Sequence, residues 1–380
     1  MKILLIGEFS RLHNSLKEGL EQLGHEVIII GTGDLFKKYP VDIDLTPKVS
    51  QYPLFKLVRK VGFKLSKFDL SDLEVYYNFN RILPTLKDFD VIQLINEDPL
   101  NIHPNLEIKL LKKLFKTHHR VFLLSCGDDF TSVSHYLTNT MRYSVLTPYL
   151  ENKSLGKQFQ YSLKYVSAPY KKLHDFLLKH CKGVIASDLD YHIPLANKSF
   201  YLGLIPNPIN TDLIHFTPLK IDSKINIFLG VNTLSQAKKG IAFFKAALAI
   251  IAEKYPEQVD IHITENIPYA EYIKLYNNAH IVLDQVYAYD QGYNALEAMA
   301  KGKVVFTGAE QEWLDYYNLE ENTVAINALP DVNYLVEKLS WLICNPDIIL
   351  KISKNARTFI EKEHFYKTIA KNYLSTWEHI

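Results

Sequence analysis

A chain of 380 residues is too long for one comfortable hydrophobic core and suits two domains of ordinary size. Apolar residues make up 47% and charged residues 22%, the balance of a soluble globular protein. The net charge of +1 gives no bulk electrostatic reason to bind nucleic acid or to act as an acidic solvating protein. The apolar run from Met1 ends at Glu8, too short for a signal peptide, and no stretch approaches the ~20 apolar residues of a membrane span. A cytoplasmic protein, free or attached to a surface, is expected. Cys126, Cys181 and Cys344 form no CxxC pair and no metal-ligand spacing, so reduced thiols and no metal site are expected.

In chain order, Lys2–Ile6 reads as a buried strand closed by Gly7. Leu12, Leu16, Leu20 and Leu23 recur at helical spacing, with Gly24 as a C-cap, and Val27–Ile30 is a second strand. Strand, helix, strand within so short a span is a βαβ unit and implies a parallel sheet. Further strands are predicted at Val91–Leu94, Val121–Leu124, Gly183–Ala186 and Tyr201–Ile205. Ile205-Pro206-Asn207-Pro208-Ile209-Asn210 forbids helix and reads as an extended linker. A second alternation follows, with strands at Ile225–Leu229, Val259–Ile263, His280–Leu283, Val304–Thr307 and Val324–Ile326 and a helix marked by Phe243, Ala247, Ile250 and Ile251. The pattern predicts an α/β chain of two Rossmann-like, doubly wound domains, residues 1–205 and 206–364. An amphipathic helical tail, 365–380, is expected to fold back on the first domain.

The segment from Asp284 to Val305 is the most informative. A strand ends near Leu283, the chain loops through Gly292, a short helix opens at about Asn294, and Gly302 caps it. The backbone N–H groups of Gly292, Tyr293, Asn294 and Ala295 at such a helix start, with the helix dipole behind them, favour a diphosphate. Glu297 lies one turn inside, where a carboxylate can accept from both hydroxyls of a ribose. The alternative is an ordinary helix with a surface glutamate.

On the other side, the loop Gly7–His13 follows the first strand, where ligands sit in open α/β sheets. It is not GxGxxG, which argues against a dinucleotide oxidoreductase. His13 reads either as a base or phosphate ligand or as an ordinary histidine on the helix surface. Asp128 and Asp129 follow a strand and read as ligands of acceptor hydroxyls or as a helix N-cap. Asp188-Leu189-Asp190 and Asp42-Ile43-Asp44 both match the D-x-D metal pattern, and two matches in one chain mark the pattern as uninformative. Residues 54–68 place Leu54, Val58, Val61 and Leu65 on one helical face and Lys56, Lys60, Lys64 and Lys67 on the other, the pattern of a membrane-surface helix or of a packed helix with a solvated basic face. Lys109–Arg120 is a second basic run.

Asn294-Ala295-Leu296-Glu297-Ala298-Met299-Ala300-Lys301-Gly302-Lys303-Val304-Val305 resembles the "LLEAMACGTPVV" signature of glycosyltransferases with the GT-B fold, specifically the large retaining family four. Ile205–Asn210 resembles the "IPNGVD" linker of that family, and Gly230–Gly240 its "GRLxxxKG" segment. The resemblance is specific over 205–305 and topological before it. It implies that Glu297 binds the nucleotide ribose and Lys239 the donor diphosphate, with Lys238 sharing the charge. The family's first loop glutamate is Tyr289 here, with Asp290 one residue off, and its arginine is Val231. Unless an anion sits beside them, two lysines at a helix start are mildly unfavourable.

The resemblance further implies transfer of a sugar from a UDP- or GDP-sugar to a saccharide or lipid-linked acceptor. It also implies that the anomeric configuration is retained and that no cofactor or metal takes part. In that chemistry the leaving phosphate itself assists the acceptor. Lys239, Asp128 and His13 are the candidate catalytic side chains. The alternatives are a non-catalytic nucleotide-sugar-binding partner, a GT-B-fold nucleotide-sugar epimerase, and a bilobal solute receptor.

Overall fold

A computed structural model describes residues 1–34, 38–50, 52, 69–265, 267 and 269–380. The basic segment 54–68 therefore lies outside the described residues. Among those described, seven parallel strands form one sheet in the order β3-β2-β1-β4-β5-β6-β7, and five form a second in the order β12-β11-β10-β8-β9. The first comprises β1 Lys2–Ile6, β2 Glu26–Gly31, β3 Ile43–Asp44, β4 Val91–Leu94, β5 Val121–Ser125, β6 Val184–Ala186 and β7 Tyr201–Leu204. The second comprises β8 Ile225–Val231, β9 Val259–Glu265, β10 Ile281–Leu283, β11 Val304–Thr307 and β12 Ile326–Asn327.

Both sheets are parallel because helices cover both faces, which is why their central strands are apolar runs rather than alternating ones. Ile3, Leu4, Leu5 and Ile6 are all fully buried. One face of the first sheet packs under helices Leu70–Ile82, Pro104–Leu114 and Ala168–His180. The other packs under helices Leu12–Gln22 and Tyr366–Glu378. Two expectations differ from the structure. The two-residue strand β3 carries no sequence signal at that length, and the last strand is shifted to Ile326–Asn327, paired with Phe306 and Thr307.

Strand order reverses beside β1 in the first sheet and beside β8 in the second. These are the points where a crevice opens at the carboxyl ends of the strands. The two crevices belong to lobes joined by two crossing segments that lie side by side. The Ile209 N–H donates to the His364 carbonyl at 2.7 Å, and the Tyr366 N–H returns to Ile209 at 3.2 Å. The last helix then lies along helix Leu12–Gln22. Gly19 makes that approach possible, since a Cβ there would sit 2.5 Å from the Tyr366 carbonyl oxygen.

Trp377 is the anchor of the last helix, fully buried with its ring 6.3 Å from Phe122 and 5.5 Å from Tyr373. Replacing it with alanine should cost about 3–5 kcal/mol of stability, the usual cost of deleting a buried tryptophan side chain. Urea denaturation followed by circular dichroism would measure this, and a loss below about 1 kcal/mol would show that the tail is not part of the core.

Candidate functional site: the cleft between the lobes

In the second lobe, the chain leaves β8, passes through Asn232–Gly240 and enters helix Ile241–Lys254. Gly240 has φ 66°, and a Cβ there would meet the Val286 side chain at 2.8 Å, so only glycine makes this turn without strain. The turn is stitched to the loop after β10 by the Val286 N–H donating to the Lys239 carbonyl at 3.0 Å. Its side chains Lys238 and Lys239 part here. The Lys239 ammonium lies 2.8 Å from Asp284 Oδ1, and the Asn294 Nδ2 donates to the same oxygen at 2.9 Å. Asp284, immediately after β10, is 3% exposed, and its Oδ2 has no partner among the described residues. Lys239, Asp284 and Asn294 thus converge at the switch point between β8 and β10.

Helix Tyr293–Ala300 starts there, with Gly292 as its N-cap and no side-chain cap. Among the described residues, the N–H groups of Gly292, Tyr293, Asn294 and Ala295 take no hydrogen-bond partner. A Cβ built at Gly292 would meet nothing within 4 Å, so the space beside Gly292 itself is open. Such a helix end is a ready site for an anion. Glu297 follows Asn294 by three positions, on the same face of the helix, and is half-buried. Gly302, with φ 83°, ends the helix. Sequence reasoning missed Asp284, which the polar break directly after the apolar run Ile281–Leu283 signals.

The first lobe separates Asp128 from Asp129. Asp129 is the N-cap of helix Phe130–Leu137: its Oδ1 accepts from the Ser132 N–H at 2.7 Å, and its own N–H donates to Ser132 Oγ at 3.0 Å. It is buried, which raises its pKa to about 6, and Glu97 adds to the shift. Asp128 faces the cleft instead. Its Oδ2 accepts from the Lys238 ammonium at 2.6 Å across the lobes and from the Ser162 hydroxyl. Burial works to raise its pKa, but the Lys238 charge and these hydrogen bonds outweigh burial and hold the carboxyl below its usual range.

His13 is neither on the helix surface nor open to a substrate. It is fully buried, with Nδ1 2.7 Å from the Gly7 carbonyl and Nε2 3.3 Å from Gln93. Burial pushes its pKa down to about 3, so it is neutral. The reason is periodic: His13 shares the inward face with Leu16 and Leu20, three and seven positions on. The polar group that stands at the end of β1 is Glu8, which the sequence alone did not single out. Its Oε2 accepts from the Asn14 N–H at 2.8 Å and the Asn14 Nδ2 at 2.6 Å, and its Oε1 has no partner among the described residues.

Tyr289, at the position of the family's first glutamate, belongs to the contact between lobes. Its hydroxyl accepts from the Arg142 N–H at 3.1 Å, and the Arg142 guanidinium lies 4.8 Å from its ring centre. Arg142 in turn pairs with Glu310 at 2.8 Å and Glu312 at 2.5 Å. Asp290 does not stand in for the missing acid. Its Oδ2 accepts from the Leu189 N–H at 3.0 Å and its Oδ1 from Gln291 at 2.6 Å. Asp190 answers by accepting from the Tyr289 and Asp290 N–H groups, and Asp188 accepts from Tyr191 as the N-cap of helix Leu189–Leu195. Burial raises the pKa of all three aspartates, and repulsion from neighbouring carboxylates adds to the shift of Asp188 and Asp190. The D-x-D pattern at 188–190 therefore works as a backbone clamp. Among the described residues, no group of three or more His, Cys, Asp or Glu could hold a metal ion.

Residues 231–375 match a family model described as glycosyl transferase-like. No curated protein matches the chain. Among solved structures, the chain is similar over its whole length to sucrose-phosphate synthase from Thermosynechococcus elongatus, at 15% identity, covering 98% of that chain, with a TM-score of 0.63. It is similar to the Anabaena protein HepE in complex with UDP-glucose, at 12% identity, with full coverage of both chains and a TM-score of 0.60. It is also similar to UDP-GlcNAc 2-epimerase from Neisseria meningitidis bound to UDP-GlcNAc, at 14% identity, with full coverage of both and a TM-score of 0.54. At these identities the likeness is one of fold. The chain has the GT-B fold, two parallel-sheet α/β lobes, and no described helix is long and apolar enough to cross a membrane.

Burial raises the Glu8 pKa from 4.5 to about 8, against the lowering effect of the Asn14 hydrogen bonds. The native state thus keeps a proton that the unfolded chain releases from about pH 4.5 upward. Stability from this group is complete below that pH and is lost as pH rises through 8. Glu8→Gln, which has no proton to lose, should show a smaller fall in melting temperature between pH 5 and pH 8.5 than the parent. Equal falls in both proteins would refute the assignment.

Proposed function

We propose that this chain is a glycosyltransferase that moves a sugar from a nucleotide-sugar donor to an acceptor presented by the first lobe. One observation carries the reading. The helix start at Gly292–Ala295, whose N–H groups take no partner among the described residues, is tied to the Lys239 ammonium through the Asp284 oxygen that Lys239 and Asn294 share. That is a built site for a diphosphate. The match of residues 231–375 to the glycosyl transferase-like model supports it. So does the fold shared with proteins solved in complex with UDP-sugars.

In this reading the diphosphate lies against the helix start, and Glu297 accepts the ribose hydroxyls. As the bond from the anomeric carbon to phosphate oxygen breaks, negative charge grows on the diphosphate. Lys239 and the preorganised N–H groups stabilise that charge. The acceptor hydroxyl bonds to the anomeric carbon, and its proton passes to the departing phosphate oxygen. This route retains configuration and needs no protein base, in keeping with the neutral, buried state of His13. Lobe closure excludes water and so limits donor hydrolysis.

UDP or GDP should raise the melting temperature of the protein, since a ligand at a hundredfold its dissociation constant stabilises by about 2.7 kcal/mol. Lys239→Ala and Glu297→Ala should each shrink that shift. Lys239→Ala should also slow transfer by about a hundredfold or more, the usual cost of losing one charge-stabilising donor. If no nucleoside diphosphate moves the transition, or if Lys239→Ala transfers at the parent rate, the donor site is elsewhere. Interconversion of the donor sugar without acceptor would instead favour an epimerase.

We also propose that the first lobe rests on a membrane surface. Glu74 pins the backbone N–H groups of Lys48, Val49 and Ser50 onto helix Leu70–Ile82. Val49, Tyr52, Leu73 and Tyr77 stand exposed around that junction. Lys109, Lys112, Lys113 and Lys116 are exposed on or just after the neighbouring helix Pro104–Leu114. An apolar cluster beside basic residues suits an anionic lipid surface. The protein should co-sediment with phosphatidylserine-containing vesicles at low salt, and less so for Leu73→Ser with Tyr77→Ser. Binding equal to that on neutral vesicles would count against the proposal.

A further inference from the structure

Beside the pair Lys238–Asp128, a cavity of about 220 Å³ opens between the lobes. Asp128, Gln158, Tyr161 and Ser162 line it from the first lobe, and Leu234 and Ser235 from the second. It lies below the ~300–1,000 Å³ usual for drug-sized ligands, and so has room for one sugar ring rather than a nucleotide-sugar. Its lining is mixed in a telling way. Tyr161 is 71% exposed, and among the described residues no ring or cation packs on it. Leu234, 81% exposed, faces the same space from the opposite lobe. Asp128 is ionised and uses Oδ2 for both Lys238 and Ser162, while its Oδ1 has no partner among the described residues. The Gln158 amide is likewise without a partner among them.

We propose that this cavity is a subsite for a neutral pyranose ring of the acceptor, resting on the glycosyl-transfer reading above. An exposed aromatic face takes the C–H face of a sugar, and a carboxylate with a free oxygen takes its hydroxyls. Lys238 gives the site its dependence on closure. Because the ammonium comes from one lobe and the carboxylate from the other, the pair is made only when the lobes meet, and the cavity has both walls only then. Adjacent lysines thereby serve the two substrates, Lys239 on the donor side and Lys238 on the acceptor side.

The test is saturation-transfer NMR on the full chain with methyl glycosides of glucose, galactose, mannose and N-acetylglucosamine, read beside the thermal shift with UDP and GDP. At least one glycoside should give a signal, with binding about tenfold weaker in Tyr161→Ala, the scale of one lost aromatic contact. Asp128→Asn should weaken it as well. Tyr161 is exposed, so Tyr161→Ala should keep the parent melting temperature and the parent response to nucleotide. Glycoside signals absent from the parent, or unchanged in Tyr161→Ala, while UDP or GDP still binds, would overturn the subsite and leave the donor reading intact. Failure of both ligand classes would overturn both. Loss of the nucleotide response in Tyr161→Ala would also overturn it, by making the cavity part of the donor site.

Discussion

Two neighbouring lysines leave one glycine-dependent turn in opposite directions, and the cleft is organised around where they go. Lys239 stays in its own lobe on Asp284, and Lys238 crosses to Asp128. A partly buried ammonium or carboxylate is costly without a counter-charge, so each pair fixes the orientation of its members. Each sheet is parallel, which sends its strands' carboxyl ends to one edge, so Asp128 follows β5 in the first lobe and Asp284 follows β10 in the second, and the Lys238–Asp128 pair joins the lobes there. An incoming anion would find its cation and N–H groups already oriented, and little reorganisation would remain to be done when charge develops.

The remaining acids near the cleft hold lobe to lobe or loop to helix. Asp190 and Asp290 exchange backbone hydrogen bonds between the segments 188–190 and 289–291, and each satisfies N–H groups that would otherwise be buried unpaired. Tyr143 belongs by sequence to the first lobe, yet it is buried in the core of the second beside Tyr287 and Tyr289, with its hydroxyl on Glu310. This gives Tyr289 a physical reason: an aromatic residue there extends the apolar contact and carries the Arg142 guanidinium on its ring while Glu310 and Glu312 neutralise that charge.

Much of the fold was legible in the residues because strands buried on both faces read as apolar runs, as with Ile3–Ile6 and Val304–Phe306. The two-residue β3 was not legible, since pairing with Ile30 and Gly31, and no local preference, makes it a strand. Helix Tyr293–Ala300 was legible from Gly292, Glu297 and Gly302, which mark its start, turn and end.

The sequence by itself determined the elements and the chemistry on offer: two βα alternations, a glycine loop opening a short helix, a lysine pair and several acids. Those follow from residue types and short spacings, which act within a few bonds. Only the tertiary structure decided which acid does what. It assigned Asp129 to a helix cap, Asp128 to Lys238, Asp284 to Lys239, Asp290 to Leu189, and buried His13 against Gly7. A carboxylate's role is set by the cations and N–H groups within about 3 Å of it, and in a two-lobed chain those neighbours come from residues tens or hundreds of positions away.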